Sequence, residues 1–204
     1  MLFRSRYLRT ELDLAFHILH AELRCDPGQE IMYRALVQER KKIEDRILIA
    51  LEFKYNPVRM RRARESLFDP SEDLRAKAVE LFEYELPKSL YHPLELIFGK
   101  SREDEHLKRY AKMHPGTFTY PENWRAEILR QECRRYSRWT VAAVIHTLQN
   151  EEDLYLSLIA KLTEHSSKLI SEEAMRYVSS KQTAQQMKTS AKSEQHLLQI
   201  EKVL

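Results

Sequence analysis

Apolar positions along the chain recur at helical rather than strand spacing. Within 68–86, Leu74, Ala78, Leu81, Phe82 and Leu86 share one face, while Arg75, Lys77, Glu80 and Glu83 lie off it. Ile43, Ile47, Ala50 and Leu51 make an equivalent stripe, and so do Leu154, Leu158 and Leu162. Asp26-Pro27-Gly28 and Asn56-Pro57 interrupt these runs. Asp69-Pro70-Ser71-Glu72 reads as a helix start, with Asp69 as an acidic N-cap and Pro70 in the first turn. Similar starts fall at Ser101, Thr119, Ser137, Asn150 and Ser171.

This punctuation predicts ten helices, over 5–24, 29–54, 57–67, 71–86, 90–98, 102–113, 122–136, 138–149, 151–166 and 171–180. They group as five antiparallel pairs with turns near 26, 69, 100, 137 and 168. The last four turns lie roughly 30–37 residues apart, although the first spacing is longer and helix 29–54 is oversized. Such a period marks an α-solenoid, in which each hairpin buries its apolar face by stacking on its neighbours. The expected fold is therefore all-α, an elongated superhelix of about five hairpins. Residues 138–149 are apolar nearly all round and should sit between neighbours. Residues 179–195 are polar and lack a stripe, which reads as a mobile, partly helical linker after a repeat domain over 1–178. The apolar pattern resumes over 196–204 and stops, as expected for a helix leading into a further domain.

Composition narrows the class. Three glycines among 204 residues cannot serve the many turns of an all-β protein, and no Gly-rich phosphate loop is present. Cys25 and Cys133 stand far apart without metal-ligand spacing, as expected of reduced thiols. No segment approaches the roughly 20 apolar residues of a membrane span. The net charge of +3 is small and mixed, so charge by itself does not announce nucleic acid, which is not the expected partner.

Asp69, Leu74, Arg75, Ala78 and Phe82 together form a frame that resembles a HEAT repeat. The Ser137-Arg138-Trp139 turn and its following helix resemble a second unit, with Ser137 and Val141 where Asp and Arg are expected. More specifically, residues 30–148 are similar to the HEAT segment of bacterial proteins that follows a transporter-like membrane domain related to ATP/ADP translocases. In such proteins a cyclic-nucleotide-binding-type domain often comes next, and its lead-in helix resembles Gln199–Leu204. The resemblance implies a right-handed solenoid acting as a non-catalytic coupling module. It also implies a cytoplasmic location, at the inner face of the membrane as part of a longer chain. The implied partners are neighbouring membrane and regulatory domains or another protein.

Searched for chemistry, the chain offers little. His17 and His20 lie one helical turn apart with Asp13 nearby, a metal spacing without an evident further ligand. Glu103 and His106 have the spacing of di-iron helices, but no second such motif exists. Cys133 sits among Arg130, Arg134 and Arg135, which would lower a thiol pKa. No catalytic residue, metal site or cofactor is expected. Two basic clusters stand out, Arg59, Arg61, Arg62 and Arg64, and Arg130, Arg134, Arg135 and Arg138. They read either as solvated faces paired with Glu or as one concave groove for phosphate-bearing ligands. The groove reading makes a HEAT-like alkylpurine DNA glycosylase relative the enzyme alternative, by analogy of fold. The loop 114–121 carries Phe118 and Tyr120, either as contact residues or as a lid folded over helix ends. Apolar residues at both ends, Leu2, Phe3, Tyr7 and Leu8, and Leu197, Leu198, Ile200, Val203 and Leu204, suggest an excised segment. Such a segment would pair as a homodimer through its C-terminal helix or leave that helix frayed.

Overall fold

Helix boundaries follow the capping residues. Asn56 has extended backbone, and its Oδ1 accepts from the amides of Val58 and Arg59. Pro57, with no amide hydrogen to satisfy, then opens a helix. Ser137 likewise accepts from the Thr140 amide and opens the helix beginning at Arg138. The structure, a computed structural model, describes residues 2–99, 103–131, 134–150 and 153–201. Helices α1 to α5 are Leu2–Leu23, Glu30–Lys54, Pro57–Leu67, Glu72–Glu85 and Lys88–Phe98. Helices α6 to α10 are Glu103–Met113, Trp124–Gln131, Arg138–Thr147, Leu156–Ala160 and Lys168–Glu201. The described residues are all-α, and no helix among them is long and apolar enough to cross a membrane. Cys133 and its neighbour Glu132, the Ser101-Arg102 start, and Val203 and Leu204 lie outside the described residues. The side chains of Leu2, Phe3, Leu197, Leu198 and Ile200 are also outside them.

The chain forms two compact units, Met1–Trp124 and Arg125–Leu204. In the first, each helix from α1 to α6 packs on the next, and α1 also packs on α5 and α6. The contact circuit therefore closes on itself. A stack of hairpins joins nearest neighbours only, so contact between the first hairpin and the third is a feature the repeat pattern does not anticipate. Leu8, Leu12, Ala15, Phe16 and Leu19 supply the buried face of α1, and Met32, Leu36, Ile43, Ile47 and Leu51 that of α2. Charge is buried beside them. Arg40 Nε donates to Glu22 of α1 at 2.8 Å and its Nη1 to Glu44 at 3.1 Å. Arg46 Nε reaches Glu11 of α1 at 3.0 Å.

The expected HEAT frame is only partly in place. Ala78 and Phe82 are buried, but Leu74 is exposed, because the hairpin tip between α3 and α4 projects into solvent. Asp69 does not cap α4. The Ser71 amide donates to its Oδ1, which closes the turn, and Ser71 holds the N-cap position. Among the described residues Arg75 has no ion-pair partner.

In the second unit α10 packs on both α8 and α9. Val141 through Ile145 are all buried, as the apolar character of α8 requires. The single helix expected over 151–166 is instead α9 flanked by 3-10 turns at Asp153–Tyr155 and Lys161–Glu164. Three residues per turn break the four-residue stripe, so Leu154 turns outward while Tyr155, Ile159 and Leu162 are buried. Residues 179–195, expected to be a linker, continue α10 without interruption. They contain no Gly or Pro, and Ala, Gln, Lys and Met are residues that sustain a helix.

Candidate functional site

The arginines of α3 are largely spoken for. Arg59 pairs with Glu85 of α4, and Arg61 lies 3.7 Å from Glu52 of α2. Arg64 bridges Asp45 at 2.5 Å and Glu52 at 3.4 Å. Three of the four cations thus act as struts between α2, α3 and α4, and only Arg62 is exposed without an ion pair among the described residues. The second cluster belongs to the other unit. There Arg130 meets Glu127 at the long distance of 4.0 Å. Arg134, Arg135 and Arg138 are exposed and have no ion pair among the described residues. The two clusters therefore differ in kind, one neutralised and one not.

Phe118 and Tyr120 of the 114–121 loop do not stand out into solvent. Phe118 is buried, stacked on His17 at 4.8 Å and edge-on to Tyr110 and Tyr120. The Tyr120 hydroxyl donates to the Leu107 carbonyl at 2.8 Å, which pins the loop to the middle of α6. Both residues fold back as a lid, the second of the two readings, because α1 presents rings to receive them. His17 and His20 lie on the same side of α1. His17 Nε2 is 3.1 Å from the Thr119 carbonyl, and His20 stacks on Tyr120 at 4.9 Å. Both imidazoles pack on rings of the loop, His17 also meeting Tyr120 edge-on at 6.5 Å, and the described residues include no cluster of three His, Cys, Asp or Glu side chains placed to hold a metal.

Beneath the loop lies a polar contact that inspection of local spacing missed. Phe16 stacks on Tyr110 at 3.7 Å, and the Tyr110 hydroxyl donates to Asp13 Oδ1 at 2.6 Å. Arg9 Nε donates to the same carboxylate at 3.1 Å. Burial, then the Asp13 acceptor, holds the Tyr110 hydroxyl protonated well above the usual phenol range. His114 stands edge-on to Tyr110 at 4.8 Å. The spacing Tyr110, His114, Phe118 at four-residue steps was the available signal. His106, the histidine of the di-iron-like spacing, is buried in α6, and the side chain of Glu103 lies outside the described residues.

These histidines give the cluster a pH response. Burial lowers the pKa of His20, helped by Arg24 and His17. Burial also lowers that of His114, helped by Arg9 and opposed by Asp13. The folded state then refuses protons that the unfolded chain accepts, so stability falls as pH drops below about 6.5 and levels off below the lowered values. The urea midpoint should decline from pH 7 to pH 5.5, and less steeply in His20→Phe, which keeps the ring and loses the titration. Equal slopes in parent and variant would refute this assignment.

No family model matches the chain, and neither a curated protein nor a solved structure shows significant similarity to it.

Proposed function

We propose that the chain is a non-catalytic helical interaction module that docks a protein partner at one end of its first unit. The supporting observation is three large apolar side chains left in solvent, Phe53 at 76%, Val58 at 60% and Tyr84 at 82% exposure. They come from the C-terminal end of α2, the N-terminal end of α3 and the C-terminal end of α4. The Arg59–Glu85 pair ties two of those ends together, and Arg61–Glu52 ties α3 to α2. Apolar side chains rimmed by paired charges are the composition of a docking surface, whereas isolated exposed apolar residues carry no such meaning. The HEAT-like reading draws support from the succession of helical hairpins and the buried Ala78 and Phe82. Its right-handed solenoid, cytoplasmic location and transporter-linked setting rest on the resemblance of residues 30–148.

The test is site-specific cross-linking in the native cell. With p-benzoylphenylalanine at position 53, one discrete adduct to one identified protein is expected, and Tyr84→Ser should abolish it. Neither substitution should move the melting midpoint appreciably, since exposed positions away from packing contribute within about 0.5 kcal/mol. A smear of unrelated products, no product, or a second copy of this chain as the sole product would overturn the reading.

A further inference from the structure

The sequence from residue 125 to residue 150 holds five arginines, at 125, 130, 134, 135 and 138, against two glutamates, and no lysine. The chain's small net charge conceals this local excess. Among the described residues between and around the ends of α7 and α8, Arg130, Arg134, Arg135 and Arg138 display it outward. Tyr136 and Thr140 are buried and anchor the turn, which leaves Arg134, Arg135, Arg138 and Trp139 on the solvent side. Arg130, at the end of α7, is exposed and holds only its 4.0 Å contact with Glu127. The α3 cluster shows what this protein does with arginines it uses as struts: each meets a carboxylate from another helix. Those at the α7–α8 turn lack such partners among the described residues.

Trp139 sharpens the chemistry. It is 42% exposed, lies between Arg138 and the buried run of α8, and makes no ring contact among the described residues. A guanidinium fork matches phosphate oxygens two at a time, and an open indole face accepts a flat unsaturated ring. Duplex bases are already stacked on each other, so the indole selects a strand whose bases are free. An anionic membrane fits less well, because the apolar run Val141 to Ile145 that follows in α8 is buried and not available to insert.

We infer that the α7–α8 turn binds single-stranded nucleic acid, with Arg130, Arg134, Arg135 and Arg138 on phosphates and Trp139 stacked on a base. The patch lies on the second unit and does not depend on the docking end proposed for the first, so either can fail alone.

The probe is fluorescein-labelled oligo(dT) or oligo(U) of 15 nucleotides, titrated with the full chain in 50 mM salt. Both sugars should bind, since neither contact reads the 2′-hydroxyl. Four phosphate contacts give a log–log salt slope of about −3. Tryptophan emission should be quenched in part, because Trp124, the only other tryptophan, is 7% exposed while Trp139 is open. Trp139→Ala should weaken binding about tenfold and remove the quenching. Arg134→Ala with Arg135→Ala should weaken it at least as much and reduce the salt slope by about 1–2. Lys108→Ala with Lys112→Ala removes the same charge from exposed positions on α6 and should change little. All variants should retain the parent melting midpoint, the altered side chains being exposed. Absence of binding, equal loss in the α6 control, heparin binding of the same strength without quenching, or preference for phosphatidylserine vesicles would each overturn the inference.

Discussion

Phe16→Ala should cost the first unit about 3–5 kcal/mol, the range for deleting a fully enclosed aromatic ring. The ring is wholly buried and lies flat on Tyr110 at 3.7 Å, so its removal opens a cavity between α1 and α6. Collapse into that cavity is opposed by the Tyr110–Asp13 bond, which holds the remaining ring where it is. Asp13 should still accept from Arg9 in the variant. The loss should therefore appear in urea unfolding as a lower midpoint with an unchanged slope. Tyr110→Phe removes the hydroxyl and keeps the ring, and should cost only about 1–3 kcal/mol, the range for a lost buried hydrogen-bond partner. If Phe16→Ala were the milder of the two, packing would not be what closes α1 on α6.

Arg40→Met is expected to have the second-largest effect, about 2–4 kcal/mol at pH 8. That is somewhat below the range for breaking a fully enclosed ion pair, because the Arg40 side chain is 24% exposed. The substitution keeps most of the stem's apolar contact and takes the cation from Glu22 and Glu44, both buried. Burial holds the Glu44 carboxyl above its ordinary range, with Arg40 pulling the other way. A carboxyl raised in the folded state favours folding below its unfolded pKa, and that advantage is lost as pH rises through the folded value. Removing Arg40 leaves burial unopposed and moves the folded value higher. The gap between parent and variant should thus be smaller at pH 5 than at pH 8. Adding Glu44→Gln should restore part of the loss at pH 8. A gap independent of pH would exclude the buried carboxylate as its cause.

Local chemistry made much of the helical framework legible. Asn56-Pro57 and Ser137 announce helix starts through groups within three residues of each other, and α3 and α8 begin where those signals lie. The end of α10 was obscure because a polar run reads equally as linker or as solitary helix. Only the absence of Gly and Pro distinguished them. The loop aromatics were harder still. Whether Phe118 faces solvent depends on His17, Tyr110 and Tyr120, and the first of these is about a hundred residues away in the chain. The same holds for the arginines. Arg59 and Arg134 look alike in sequence, and they differ through Glu85, 26 residues beyond Arg59 and invisible to helical spacing.

The closure of α1 on α6 has a temporal consequence during synthesis. Asp13 and Tyr110 are separated by 97 residues, so at ordinary translation rates α6 emerges about 5–20 s after α1. Through that interval the nascent chain carries Phe16 and its neighbours without their final cover. Helix α2 emerges early enough to shield one side, whereas α5 and α6, which also pack on α1, emerge late. Nascent chains stalled ahead of residue 110 should accordingly recruit holdase chaperones, and recruitment should fall once α6 clears the ribosome.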